Sequence, residues 1–275
     1  MTYRQLINEL GQSLEAVGEE REALEFAFKE KKLWSTTDFV INQAKEVTLE
    51  DEKLLKEIFD HLEAHKPVQH YLGYAYFKDL TLKVSPDVLI PRPETEELVD
   101  LILSKNPTKP LKVLDIGTGS GAIALALKNQ RPDWQVTALD ISKTALEIAK
   151  QNGHKLGLTI NWLESDVFSQ VSGMFDIIVS NPPYISEDDK EEVGTNVLSH
   201  EPHGALFAPN DGYAIYQQII EEASEYLTEI GRIYFEIGYK QGRKVKEMLK
   251  NTFPDATVTV LKDVFGKDRM VVLTK

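Results

Sequence analysis

The sequence predicts an α/β fold in which an N-terminal helical bundle is joined by a β-hairpin to a doubly wound seven-stranded sheet. Three observations carry this prediction. Apolar residues recur at helical spacing up to about residue 65, alternation typical of a hairpin follows, and from Leu111 onward short apolar strands alternate with helices. The predicted domains are therefore a helical domain at 1–73, a hairpin linker at 74–91 and a sheet domain at 92–275.

The first region is predicted to be helical because its apolar residues fall on one face of a helix. Leu6, Leu10 and Leu14 repeat every four residues, and the same pattern returns between residues 54 and 62. Thr48 stands shortly before two acidic residues, which suits the start of a helix. The region has little strand signal, so it is expected to form a small bundle.

A change of pattern between Tyr74 and Pro91 predicts the hairpin. Apolar and polar residues alternate there around two turn sequences, Lys78-Asp79 and Ser85-Pro86-Asp87. Pro91-Arg92-Pro93 then ends the strand, and Pro93 suits the first turn of a helix.

The rest of the chain predicts a mostly parallel sheet, because helices separate most of its strands. The last two strands have only a short link between them, which predicts an antiparallel pair at the sheet edge. The predicted strands are Leu111–Ile116, Gln135–Asp140, Thr159–Leu163, Phe175–Ser180, Arg232–Ile237, Thr257–Leu261 and Met270–Leu273. The predicted helices are Gly121–Asn129, Ser142–Lys155, Tyr213–Tyr226 and Gly242–Leu249.

Composition narrows the classes of function. The 275 residues include 31 Lys and Arg against 44 Asp and Glu, a net charge of −13, which disfavours a nucleic-acid partner. The chain has no cysteine, so disulfides, thiolate metal sites and a cysteine nucleophile are excluded, and no metal site is predicted. No signal peptide is visible and no apolar run approaches the ~20 residues that span a bilayer. We therefore expect a cytoplasmic protein without membrane contact.

A glycine loop follows the first strand of the sheet domain. Gly117-Thr118-Gly119-Ser120-Gly121 lies between a buried strand and a helix, where glycine lets a ligand approach the backbone and the helix amino end attracts negative charge. The loop alone fits NAD as well as S-adenosylmethionine. Asp140 ends the next strand, at the spacing where a carboxylate meets ribose hydroxyls.

Two further acids allow two interpretations each. Asp115 precedes the first glycine and either pairs with a ligand ammonium group or braces the turn through hydrogen bonds. Asp166 follows the third strand and either accepts from an adenine amino group, with Val167 packing nearby, or is an ordinary loop acid.

The fourth strand runs directly into Asn181-Pro182-Pro183-Tyr184. The prolines fix the backbone and remove two N–H donors, so their neighbourhood offers carbonyl acceptors without competing donors. Asn181 adds an amide, and Tyr184 adds a flat aromatic face with a polar tip. Together they predict a rigid cradle for a planar NH₂ group, facing the glycine loop across the sheet crevice.

This arrangement resembles the class I S-adenosylmethionine-dependent methyltransferases that modify planar NH₂ groups. Three further segments, 67–73, 89–96 and 198–206, resemble the release factor glutamine N5-methyltransferase family, and the resemblance covers nearly the whole chain. It implies a Rossmann-like sheet, S-adenosyl-L-methionine as cofactor and class I peptide chain release factors as protein substrate. The implied reaction is methylation of the side-chain amide nitrogen of the glutamine in their Gly-Gly-Gln motif, with the helical domain recognising the substrate.

The resemblance also implies roles for matching positions, with Asn181 in both sites and Asn181, Pro182 and Tyr184 as the catalytic group. Val167 stands where some members carry a Trp beside the adenine. The implied cofactor site comprises Gly117, Thr118, Gly119, Ser120, Gly121, Asp140, Asp166, Val167 and Asn181. The implied substrate site comprises Asn181, Pro182, Pro183 and Tyr184.

Three other functions compete with this interpretation. An adenine-amino DNA or RNA methyltransferase shares the Asn-Pro-Pro-Tyr sequence but needs a basic surface and a base-flipping pocket, which the acidic composition disfavours. An NAD-dependent oxidoreductase gives residues 181–184 no evident role in hydride transfer. A non-catalytic binding module has no need of them. Arg92 and Glu94 are expected either to contact substrate or to brace the interdomain hinge.

Overall fold

The computed structural model of the protein describes residues 1–275 and has the predicted α/β architecture. Its contacts divide the chain into two compact units. The first comprises residues 1–74 and 193–200, and the second comprises 75–192 and 201–275. No helix is both long and apolar enough to cross a membrane.

The first unit is a helical bundle. The Thr2 and Thr48 side chains cap its first and fourth helices by accepting from the backbone N–H groups of Gln5 and Asp51. The helices bury a common apolar core that includes Leu14 and Phe28, both with no exposed surface. The helices are α1 (Tyr3–Ala16), α2 (Arg21–Lys32), α3 (Thr36–Asn42), α4 (Leu49–Glu63) and α5 (Val68–Leu72), with α9 (Thr195–His200) from later in the chain.

The predicted hairpin forms a two-stranded sheet that is shorter than expected. Its strands are β1 (Tyr74–Phe77) and β2 (Leu80–Lys83), and regular strand structure ends there instead of continuing to Pro91. Pro86 has no N–H to donate to a ladder, which explains the early end. Val84 and Val88 are buried by packing against other apolar residues instead of by strand pairing.

The second unit contains the predicted seven-stranded sheet, in the order β5-β4-β3-β6-β7-β9-β8. The first five strands in this order are parallel, and β9 runs antiparallel between β7 and β8. The last two strands therefore form the expected antiparallel pair. The strands are β3 (Lys112–Ile116), β4 (Gln135–Asp140), β5 (Asn161–Glu164), β6 (Phe175–Ser180), β7 (Leu227–Glu236), β8 (Thr257–Lys262) and β9 (Asp268–Thr274).

Helices cover both faces of this sheet, as a doubly wound fold requires. One apolar cluster joins the sheet to the two helices that precede and follow β3, and a second joins it to the two long helices on either side of β7. The helices are α6 (Pro93–Lys105), α7 (Ala122–Gln130), α8 (Lys143–Leu156), the short α10 (His203–Leu206) and α11 (Pro209–Gly212), α12 (Ala214–Tyr226) and α13 (Gly242–Thr252), with a 3₁₀ helix at Glu187–Glu192.

Candidate active site

Strand register gathers the polar residues at one edge of the sheet. Ile116 of β3 is paired with Leu139 on one side and Ser180 on the other, and Ser180 is in turn paired with Phe235 of β7. The next residues along these strands therefore lie at the same level: Asp140 and Glu236 are the last residues of β4 and β7, and Gly117 and Asn181 directly follow β3 and β6. This is the carboxyl edge beside the point where the strand order reverses, which is where ligands bind in such sheets.

A cavity of about 340 Å³ opens at this edge, within the size range of small-molecule sites. Its wall is largely apolar, with a few polar groups that converge on it. The predicted site residues on this wall are Gly117, Gly119, Asp140, Asp166, Val167, Asn181, Pro182 and Pro183. Asp87–Leu89 and Pro202, Gly204 and Ala205 also contribute to the wall.

The glycine loop exposes its backbone to the cavity. Gly117 and Gly119 have φ angles of +73° and +55°, a region that favours glycine, and no atom lies within 4 Å of the place where a Cβ would stand. Gly117 and Thr118 both donate backbone hydrogen bonds of 2.9 Å to the Leu139 carbonyl, which anchors the loop to β4. A ligand can therefore approach the glycine backbone closely.

Asp140 is the charged residue at the end of β4. One carboxylate oxygen accepts from Gly119 N–H at 2.8 Å and the other accepts from Ser142 N–H at 2.9 Å. Burial raises the pKa of Asp140, and hydrogen bonds from the backbone N–H groups of Ser142, Gly119 and Ile141 counteract part of that shift. Each oxygen keeps a further lone pair for a ligand hydroxyl.

Asp115 is fully buried and is not on the cavity wall. Its Oδ2 accepts from the Thr118 hydroxyl at 2.6 Å, and burial raises the pKa of this carboxyl to about 7. Of the two interpretations of Asp115, the structure favours the brace for the glycine turn.

Asn181 and Pro182 each leave one hydrogen-bond acceptor open. Asn181 Nδ2 donates to Thr95 Oγ1 at 3.2 Å and the same amide also hydrogen-bonds to Glu236, whereas no protein group donates to its Oδ1. The Pro182 carbonyl likewise receives no hydrogen bond from the protein. Both residues line the cavity, so the site offers two adjacent acceptors, as a planar NH₂ group requires.

Tyr184, the last residue of the Asn-Pro-Pro-Tyr segment, is held in place by Gln241 and Gly238. Its carbonyl accepts from Gln241 Nε2 at 2.9 Å, and Gly238 packs against its ring. Burial raises the pKa of Tyr184 to about 12, with the Glu236 carboxylate as a further cause, so its hydroxyl stays neutral at physiological pH.

Val167 has the unusual backbone of this site. Its φ is +43°, which is strained for a β-branched residue, and its side chain is buried on the cavity wall. Such strain is typical of positions where ligand binding constrains the backbone.

Comparison with known proteins supplies the family. A release factor glutamine methyltransferase from Streptococcus pneumoniae is 53% identical over 274 residues, which cover 99% of this chain and 98% of that protein. The chain belongs to this family. Another member, from Lactococcus lactis, is 46% identical over 90% of this chain and 92% of its own. The family model of the methyltransferase small domain matches residues 95–206.

Solved structures agree on the fold. The crystal structure of a methyltransferase from Pyrococcus furiosus superposes with a TM-score of 0.55 at 20% identity, covering 72% of this chain and 90% of that one. Together with the family model and the strand order, this likeness supports the class I methyltransferase fold that the sequence predicts.

As a member of this family the chain is a methyltransferase, and S-adenosylmethionine is its methyl donor. The cavity fits such a group on three counts. The backbone of Gly117 and Gly119 is open, Asp140 keeps acceptor capacity for hydroxyl groups, and the remaining wall is mostly apolar, as an adenine ring requires.

Four predicted site residues lie behind the wall. Thr118 and Ser120 are buried, the first bonded to Asp115 and the second holding Asn152 through its carbonyl. A Cβ on Gly121 would stand 3.0 Å from the Leu125 side chain, so this glycine serves close packing of α7. The fourth is Tyr184, whose ring packs against Gly238 and the second apolar cluster.

Sequence reasoning missed three polar residues of the site. Thr95 bonds to Asn181, Glu236 bonds to Thr95, and Glu201 binds Arg92 Nη2 at 2.5 Å while also accepting from Ile90 N–H at 3.0 Å. Arg92 thus braces the segment that carries Pro202 and Gly204 onto the cavity wall. One signal was available for Glu236, a charged residue in the otherwise apolar run 233–237.

Proposed function

We propose that the protein transfers a methyl group from S-adenosylmethionine to the side-chain amide nitrogen of a glutamine in class I peptide chain release factors, within their Gly-Gly-Gln motif. One observation carries the proposal: Asn181 Oδ1 and the Pro182 carbonyl are both open acceptors on the wall of a cavity that also holds the glycine loop. The names of the relatives supply the release factor.

The open acceptors address the chemical difficulty of this reaction. An amide nitrogen is a weak nucleophile because its lone pair is delocalised into the carbonyl group. Asn181 Oδ1 and the Pro182 carbonyl each accept a hydrogen bond from one of the two N–H groups of this nitrogen. These hydrogen bonds raise the electron density on the nitrogen. The same dipoles stabilise the positive charge that develops there, and they are already in place before reaction.

When bound, S-adenosylmethionine supplies an electrophilic methyl group on a positively charged sulfur. The substrate nitrogen bonds to the methyl carbon while the carbon–sulfur bond breaks and its electron pair stays on sulfur. The surplus proton of the methylated nitrogen then passes to water. Gly117, Gly119 and Asp140 hold the methyl donor, and Asn181 with Pro182 aligns the substrate nitrogen. Holding both reactants in line lowers the entropic part of the activation barrier.

The site lies in the second unit, and the proposal gives the helical first unit a role in recognising the release factor. That unit exposes several large apolar side chains, among them Leu33 with 91% and Ile41 with 62% of its surface accessible. Exposed apolar groups of this kind suit a protein partner. Replacing both with Ser should raise KM for the intact factor and leave KM for a short Gly-Gly-Gln peptide unchanged. The proposed setting is the bacterial cytoplasm, where translation takes place, with no membrane or direct nucleic-acid contact.

Mass spectrometry tests the proposal directly. A class I release factor incubated with the protein and S-adenosylmethionine should gain about 14 Da, one methylene, on the Gly-Gly-Gln peptide. Asn181→Ala should lower kcat about 100- to 1000-fold while donor affinity stays nearly unchanged. Asn161→Ala, an exposed asparagine of β5, is the control and should behave as wild type. An unmodified factor, or an Asn181→Ala variant of near-normal rate, would contradict the proposal.

A parallel reaction with adenine-containing DNA tests the competing function. The net charge of −13 disfavours binding to a phosphate backbone, so no methyl transfer to DNA is expected. Transfer to DNA without transfer to the release factor would favour an adenine-amino methyltransferase instead.

A further inference from the structure

Behind Asn181 lies a chain of buried polar groups that the proposed reaction does not use directly. Asn181 Nδ2 donates to Thr95 Oγ1 at 3.2 Å, and Thr95 Oγ1 donates to Glu236 Oε2 at 2.7 Å. Thr95 and Glu236 are only 4% and 2% exposed. They come from the first turn of α6 and the end of β7, so three separate elements converge on one amide.

Stability alone does not account for a carboxyl group at this position. Glu236 ends a run of fully buried residues, Ile233, Tyr234 and Phe235, where an apolar side chain would avoid the cost of desolvating a carboxylate. A buried polar network of this kind fixes orientation more than it adds stability.

The orientation of the Asn181 amide follows from the number of protons that Glu236 and Thr95 can donate. An ionised Glu236 can only accept, so the single Thr95 hydroxyl proton must point to it. The Thr95 oxygen then has only lone pairs to offer Asn181, which must turn its Nδ2 toward Thr95. Because amide oxygen and nitrogen diverge from the same carbon, Asn181 Oδ1 is left free, and no protein group donates to it.

We propose that Thr95 and Glu236 are positioning residues that hold the Asn181 amide with its oxygen toward the substrate, and that protonation of Glu236 releases this order. A protonated Glu236 can donate to Thr95, which can then donate to Asn181 in the reversed amide orientation. The reversed amide presents N–H donors to a substrate NH₂ group and cannot accept from it. The catalytic consequence rests on the proposed function.

The surroundings of Glu236 set the pH at which this occurs. Burial raises the pKa of Glu236 to about 7, against opposing hydrogen bonds from Thr95 and Asn181. Arg269 on β9 lowers it and Glu94 on α6 raises it, while the neutral Tyr184 lies nearby and the Tyr216 hydroxyl binds the Glu236 carbonyl at 2.6 Å. The carboxyl is therefore ionised, and the amide correctly oriented, above neutral pH.

Kinetics test the catalytic consequence. Wild-type kcat should fall about tenfold from its plateau to pH 6, where about a tenth of Glu236 is ionised. In Glu236→Gln this decrease of kcat toward acid pH should be absent between about pH 6 and 8. Thr95→Val should lower kcat about 10- to 100-fold with donor affinity unchanged, and Thr95→Ser should restore most of the rate.

Nuclear magnetic resonance tests the orientation without any substrate. The Asn181 side-chain NH₂ signal, identified by its loss in Asn181→Ala, should shift with a midpoint near pH 7 in wild type and stay constant in Glu236→Gln. A pH-independent signal in wild type, or a Thr95→Val variant with normal kcat, would overturn the positioning role. A titrating signal in a protein that leaves release factors unmethylated would instead keep the network and reject the proposed function.

Discussion

Gly212 offers the sharpest test of the geometry, because any side chain there collides with the Asn-Pro-Pro-Tyr segment. A Cβ on Gly212 would stand 2.1 Å from the Tyr184 carbonyl oxygen and 2.7 Å from its carbonyl carbon. Carbon and oxygen atoms normally pack at about 3.5 Å, so Gly212→Ala must move the Tyr184 backbone by about 1 Å or more. The Gln241 hydrogen bond to the same carbonyl must move as well.

The size of the effect follows from this displacement. A shift of about 1 Å in a substrate-positioning segment costs about 100-fold in rate, or about 2.7 kcal/mol of transition-state stabilisation. The φ of Gly212 is +81°, which adds about 1 kcal/mol of backbone strain for alanine. Overpacking adds about 1–3 kcal/mol to the loss of folding stability.

Gly266→Ala is the matched control. Gly266 has a φ of +78°, and a Cβ there would meet nothing within 4 Å, so this variant carries the backbone strain without the collision. Initial rates of release factor methylation and urea unfolding should be measured for both variants. We expect the rate to fall only in Gly212→Ala, with donor affinity retained. Equal rates in the two variants would refute the inference that Gly212 holds the substrate cradle in place.

Three further outcomes are expected. Asp140→Asn should weaken S-adenosylmethionine binding about tenfold by calorimetry, since it loses the charge at a ligand hydroxyl site, and unchanged affinity would count against that role. Arg92→Ala should lower the free energy of unfolding by about 2 kcal/mol in urea titration, because the buried Glu201 carboxylate loses its cation; no change would mean that Glu201 needs no partner. Raising salt from about 50 to about 500 mM should increase KM for the release factor, if the acidic enzyme docks a basic surface.

The sheet could be predicted from sequence because its signals are local. β4 and β6 begin and end where expected, since each is an apolar run that stops at a polar residue at the edge of the sheet. The predicted hairpin extends too far along the chain because its apolar–polar alternation, which includes Val84 and Val88, has two structural explanations. It is compatible with a paired strand and equally with an extended segment that is buried without pairing. Only the absence of a strand partner separates the two, and that is a tertiary property.

The site could be predicted in part for the same reason. Gly117, Asp140 and Asn181 each end or follow a recognisable strand, so their meeting at one edge follows from topology. Thr95 and Glu236 lie 141 positions apart, and nothing local marks them as partners. Glu201 and Arg92 are separated by 109 positions and were equally hidden. Contacts of this kind depend on strand order and helix placement, which a single sequence does not specify pair by pair.

The register nevertheless gives a reason why Glu236 is the residue that reaches Asn181. Ser180 is paired with Phe235, so the positions that follow them leave adjacent parallel strands side by side. A polar residue at the end of β7 is therefore the side chain of that strand best placed to control an amide immediately after β6. The same logic gives α6 its part, because the Thr95 hydroxyl has one proton and adds to the Asn181–Glu236 hydrogen bond in fixing the amide's direction. Replacing the hydroxyl should thus be more damaging to kcat than its two lost hydrogen bonds suggest, and Thr95→Val isolates that difference.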